Sequence, residues 1–98
     1  MPEAVWGEHP GAEIHHTAEV HPTAFLGEGT VVWAGAAVMS GVKTGPHCSI
    51  GRNAEVGRGC TLGEHVRVGF GAFIPNRTSI GDRVFIGPGA ILTDDKRP

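Results

Sequence analysis

The chain has 98 residues and a formal net charge of −2, with its 8 Lys and Arg scattered rather than clustered. That length makes one domain, and the charge balance argues against nucleic acid or an anionic membrane as a partner. No apolar run approaches the roughly 20 residues that span a bilayer, and residues 1–10 lack the basic-then-apolar pattern of a secretory leader, so a cytoplasmic location is the default expectation.

Residues 1–11 read as an irregular N-terminal arm. Trp6 is its only large apolar group, and the arm is expected to cover an open strand edge of the first coil or of a neighbour. From Ile14 a branched aliphatic returns at every sixth position: Ile14, Val20, Leu26, Val32, Val38, then Thr44, then Ile50, Val56, Leu62, Val68, Ile74, Ile80, Ile86 and Leu92. Thr44 is the one polar member. A second series stands two residues earlier, Ala12, Ala18, Ala24, Thr30, Ala36, Val42, Cys48, Ala54, Cys60, Val66, Ala72, Thr78, Val84 and Ala90, all small or β-branched.

Period six is not a helical period, which would place apolar residues three and four apart. A separation of two puts both side chains on one face of a strand. The other four residues must hold a corner, and Gly, which follows the aliphatic from Ile50 onward at Ile50, Val56, Leu62, Val68, Ile80 and Ile86, is expected to supply the backbone angles that it needs. Pro22, Pro46, Pro75 and Pro88 also fall at corners, where no ladder donor is required. Each hexad is therefore one short strand and one turn. A single hexad cannot bury its apolar side, so the units must stack at about 4.8 Å per strand. Hexapeptide repeats of this kind build parallel β-helices. A rod this short buries little core for its surface, so self-association is expected.

Over residues 12–92 this pattern resembles the hexapeptide-repeat acyltransferases. The resemblance implies an all-β fold, a left-handed parallel β-helix of about four and a half triangular coils with eighteen residues per coil, assembled as a homotrimer. On that register Cys48 and Cys60 lie on different columns, which argues for two buried thiols rather than a disulfide. Thr44 stacks between Leu26 and Leu62, its hydroxyl expected to bond a backbone carbonyl.

Acyl transfer from a thioester requires a deprotonated acceptor, a stabilised carbonyl oxygen and close placement of the two reactants. Gly87-Pro88-Gly89-Ala90-Ile91-Leu92-Thr93-Asp94-Asp95-Lys96-Arg97-Pro98 resembles the acceptor loop of nucleotide-sugar N-acetyltransferases, in which a Gly-Pro hexad runs into Thr-Asn-Asp-Lys-aromatic-Pro. Thr93, Asp95, Lys96 and Pro98 match; Asp94 replaces Asn and Arg97 replaces the aromatic. Ile74-Pro75-Asn76 resembles the Ile-Gln-Asn of the same branch, with Pro75 in place of Gln; the resemblance implies catalytic roles for Asn76 and Asp94, acceptor binding by Thr93, Asp95 and Lys96, acetyl-CoA as co-substrate and a nucleotide-sugar acceptor. Without an acceptor, residues 93–98 are simply a charged, solvated tail, and Asn76 a corner residue in a tight turn.

His47 and His65, eighteen residues apart, should stack at one corner. They are candidate metal ligands only if the chain resembles the γ-class carbonic anhydrases, to which the stretch from Gly59 to Ala72 is similar, although the flanking histidines do not match; no metal is expected. His15, His16 and His21 read as exposed corner residues. Glu28, Glu64 and Asp82 share another column and read as solvated charges. In the nucleotide-sugar branch further coils follow the acceptor loop and carry acetyl-CoA, and related galactoside-type enzymes place a catalytic His there. No His follows Ile80 in this chain. The expectation is thus an acetyltransferase of which this chain is one part, or else a non-catalytic β-helical assembly module.

Overall fold

The computed structural model describes residues 11–93. The proposed arm, apart from Gly11, and positions 94–98 of the charged tail lie outside those residues. Within them the chain is all strand and turn. One column of parallel strands comprises β1 (Glu13–Ile14), β3 (Val31–Val32), β6 (Ser49–Ile50), β9 (Arg67–Val68) and β12 (Phe85–Ile86). A second comprises β2 (Glu19–Val20), β4 (Ala37–Val38), β7 (Glu55–Val56) and β10 (Phe73–Ile74), and a third β5 (Lys43–Thr44), β8 (Thr61–Leu62) and β11 (Ser79–Ile80). Single bridges, Phe25 to Lys43 and Phe73 to Ile91, extend the third and second columns. We refer to the three columns as the first, second and third faces of the prism.

The register confirms the repeat. Glu13 pairs with Val31 and Arg67 with Phe85, eighteen residues on in each case. Backbone bonds climb the first face in step, with Val31 N–H donating to the Cys48 carbonyl at 2.9 Å and Ser49 N–H to Val66 at 2.9 Å. The chain is therefore a three-faced parallel β-solenoid of about four turns, as the hexads predict, and the left-handed β-helix that the family resemblance implies.

Both inward series line the interior. Val32, Ile50, Val56 and Ile74 are fully buried, as are Val42, Cys60 and Val66 from the small series. Val20, Ile80 and Leu92, towards the two ends, are only partly buried. Cys48 and Cys60 are both free, buried thiols. Thr44 is buried, and its hydroxyl is fully used: it donates to the Gly45 carbonyl at 3.0 Å and accepts from Gly27 N–H at 3.0 Å. Thr44→Val keeps the shape but strands that N–H. We expect a loss of about 1–3 kcal/mol, read as a lower urea midpoint, despite the gain in hydrophobicity.

The glycines do something other than the sequence reading assigns them. The left-handed backbone falls two residues later, at Gly29, Gly35, Gly41, His47, Asn53, Gly59, His65, Gly71, Arg77, Arg83 and Gly89. The Gly at 51, 57, 63 and 69 is needed because the next coil passes close by, whereas Gly81 and Gly87, towards the end of the described residues, have open space beside them. A Cβ at Gly51 would stand 2.8 Å from the Val68 carbonyl oxygen, and one at Gly69 2.6 Å from the Pro88 nitrogen.

Burial pushes the Cys48 thiol up from its ordinary value, the largest effect on it, partly offset by hydrogen bonds. Its Sγ donates to the Gly63 carbonyl at 3.1 Å. A raised folded pKa means that stability is complete below the unfolded thiol's pKa, about 8.5, and declines as pH rises above it. Native Cys48 should resist a thiol reagent at neutral pH and react on unfolding in urea.

Candidate functional site

The corner between the first and second faces carries a groove of about 510 Å³. Its floor follows from the repeat. Trp33, Gly51 and Gly69 occupy the same corner position in successive coils, so one indole is followed by two residues with no side chain. Val68, Gly71 and Ser49 also line it, with Phe85 on the first-face side of the Gly51–Gly69 trough and Phe70 on the corner side. The residue before each inward aliphatic points outward, which brings Ser49, Arg67 and Phe85 to the surface of the first face. Arg52 and Asn53 stand on the corner itself. Trp33 is 44% exposed, Phe70 63% and Phe85 64%. The Trp33 Nε1–H donates to Ser49 Oγ at 3.2 Å, which fixes the indole along the wall. Two guanidiniums and no carboxylate line this groove. Among the described residues neither guanidinium has an acidic partner; the ion pair present is Arg83 with Glu64, at 3.7 Å on another corner.

Asn76 lies on the corner between the second and third faces, in a smaller groove of about 320 Å³ with His21, Met39, Ser40, Glu55 and Arg58. Its Oδ1 accepts the Arg58 backbone N–H at 2.9 Å. Only the carbonyl oxygen can meet an N–H, so the amide orientation is fixed and Nδ2 is left as a donor. Asp82 does the same for Glu64 N–H at 3.0 Å. Asn76 therefore has a structural task whatever else it does. His21 accepts the Thr23 N–H at Nδ1, 3.1 Å away, while Thr23 Oγ1 lies 2.9 Å from the same nitrogen and accepts from Gly41 N–H at 3.0 Å. Neutral His21 thus carries its proton on Nε2 and offers the groove a donor rather than a base.

Thr93 is exposed at the end of the described residues. Asp94, Asp95 and Lys96 lie outside them. His47 and His65 do stack, their rings 5.1 Å apart and inclined at 26°. Both sit on left-handed backbone. Among the described residues no group of three or more His, Cys, Asp or Glu is placed to hold a metal ion. Glu28, Glu64 and Asp82 share their corner with this stack, and Arg83 offsets Glu64.

The aromatic groove was not among the residues singled out from sequence. None of Trp33, Phe70, Phe85, Arg52 and Arg67 belongs to either inward series or is assigned a role by a resembling motif. The available signal is the eighteen-residue ladder itself: a Trp followed by Gly at 51 and 69 marks a trough, with Arg67 and Phe85 on the neighbouring outward ladder.

A stacked parallel prism built on hexads, with surface grooves at its corners, defines a hexapeptide-repeat protein. The family described as Bacterial transferase hexapeptide (six repeats) matches residues 41–76 and 59–94, and the chain belongs to that family. No curated protein sequence matches it. Among solved structures it is similar to the acetyltransferase domain of PglB from Neisseria gonorrhoeae FA1090, with 26% identity, a TM-score of 0.64 and 88% of this chain covered. The match takes in 51% of that domain, so this chain spans about half of the neighbour's length.

Proposed function

We propose that the chain is the β-helical part of an acetyltransferase that moves an acetyl group from acetyl-CoA to an amino or hydroxyl group of a nucleotide-linked sugar, as a homotrimer in the cytoplasm. The observation that carries this reading is membership of the hexapeptide transferase family together with the likeness to an acetyltransferase domain. The acceptor's lone pair attacks the thioester carbonyl carbon, the acceptor loses a proton, and the CoA thiolate leaves. Asn76 Nδ2 and His21 Nε2 are donors suited to the acceptor's oxygens or to the developing oxyanion. Asp94 is the carboxylate suited to take the proton. In sequence it stands eighteen residues after Asn76, the separation at which residues pair throughout the prism. Thr93, Asp95 and Lys96 would bind the acceptor.

A thiol-release assay with acetyl-CoA and nucleotide-linked amino sugars tests the proposal. Release that depends on the acceptor supports it, and Asn76→Ala or Asp94→Asn should then lower kcat. Isothermal titration that gives no heat with acetyl-CoA at high protein concentration would remove it in favour of an assembly module. Sedimentation of the same protein reads the trimer.

A further inference from the structure

We infer that the Trp33–Phe70–Phe85 groove is a binding site for a nucleoside diphosphate group, with the base held on the aromatic walls and the diphosphate between Arg52 and Arg67. The inference rests on the acyl-transfer reading only for the source of that group, since both an acyl-CoA donor and a nucleotide-linked acceptor carry one.

The groove has what such a ligand requires and little else. Three exposed aromatic rings bound a trough with Gly51 and Gly69 in its floor, so a planar ring can reach their faces without meeting a Cβ. The trough runs from the coil of Trp33 to the coil of Phe85, three strand spacings or roughly 14 Å. Base-on-aromatic stacking tolerates any base and is worth about tenfold or more in affinity. The indole is pinned by its bond to Ser49, which lowers the ordering cost of binding. The two guanidiniums lack acidic partners among the described residues, and the planar guanidinium suits bidentate phosphate contact. The Asn76 groove, by contrast, is lined by the Glu55 carboxylate as well as Arg58, which disfavours a dianion.

The test uses the whole chain, titrated with ADP, UDP and inorganic pyrophosphate by calorimetry and by tryptophan fluorescence. ADP or UDP should bind at least tenfold more tightly than pyrophosphate, which cannot stack, and should weaken as salt is raised. Arg52→Ala and Arg67→Ala should each weaken binding about tenfold. Trp33→Ala should do so too, whereas Trp33→Phe should keep the affinity and lose the fluorescence change. Circular dichroism of each variant should match the wild type, because these side chains point outward, and His47→Ala on another corner should bind normally. Competition by CoA against ADP assigns the site to the donor; tight UDP binding that CoA does not displace assigns it to the acceptor.

Absence of binding by either nucleotide overturns the inference, as does binding indifferent to Arg52, Arg67 and Trp33. A change in oligomeric state in the aromatic variants with unchanged nucleotide affinity overturns it too, and makes the groove a contact between copies. The acyl-transfer reading fails separately. Nucleotide binding in the groove without thiol release sinks that reading alone. Thiol release with unchanged KM in the Arg52, Arg67 and Trp33 variants sinks the groove alone.

Discussion

Gly69→Ala should unfold at a clearly lower urea concentration than the wild type, whereas Gly87→Ala should unfold at the same concentration or slightly higher. The two glycines hold the same corner position one coil apart, and neither has left-handed backbone. They differ in what lies beyond them. A Cβ on Gly69 would stand 2.6 Å from the Pro88 nitrogen and 2.8 Å from the Ile86 carbonyl oxygen, and both are backbone atoms held in the ladder. Gly69 N–H itself donates to Ile86 at 2.7 Å, so the two chains cannot part without stretching that bond. Overpacking of this kind costs about 1–3 kcal/mol. A Cβ on Gly87 meets nothing within 4 Å among the described residues, and Ala there restricts the unfolded chain, stabilising by up to about 1 kcal/mol. The measurement is a pair of urea melts followed by circular dichroism. Equal midpoints would show that these glycines are not selected by the approach of the next coil.

That pair of glycines also marks where sequence reasoning reached its limit. The inward columns were legible because a six-residue period leaves one arrangement that buries them, and Val32, Ile50, Val56 and Ile74 are buried as the period requires. Thr44 was legible for the same reason: a hydroxyl in that column must bond the backbone, and it bonds the Gly45 carbonyl. The Gly after each aliphatic was assigned to the turn angle, but the angle sits two residues on, where His47, Asn53, His65, Arg77 and Arg83 also adopt it. Identity alone does not separate a Gly needed for its φ from one needed for lack of a Cβ. The site was less legible than the fold. Its grooves come from outward residues of three or four coils, and those residues carry no period of their own. Asn76 stood out by resemblance, yet its Oδ1 is spent on the Arg58 N–H, a contact visible only once coils stack. The aromatic groove had no resemblance to announce it.

Ile50→Ala should cost about 2–5 kcal/mol, against a total stability of about 5–15 kcal/mol for a domain. Ile50 is fully buried and pairs in its column with Val32 on one side and Val68 on the other. The backbone around it cannot collapse into the hole: Trp33 N–H donates to the Ile50 carbonyl at 2.9 Å and Gly51 N–H to Val68 at 2.8 Å, which fixes the coil spacing on both sides. Ile50→Val, which removes one methylene, should cost about 0.5–1.5 kcal/mol, and Ile91→Ala, at a position 70% exposed, should stay within about 0.5 kcal/mol. The position in the stack adds a second readout. In a solenoid each coil is stabilised only by the coils above and below it, so a cavity at Ile50 weakens the coupling of the coils on either side. The urea midpoint of Ile50→Ala should therefore fall, and the slope of its transition should fall with it if the two ends begin to unfold separately. A midpoint that moves no more than that of Ile91→Ala would mean that Ile50 does not face the interior, and the prism on which the corner grooves depend would go with it.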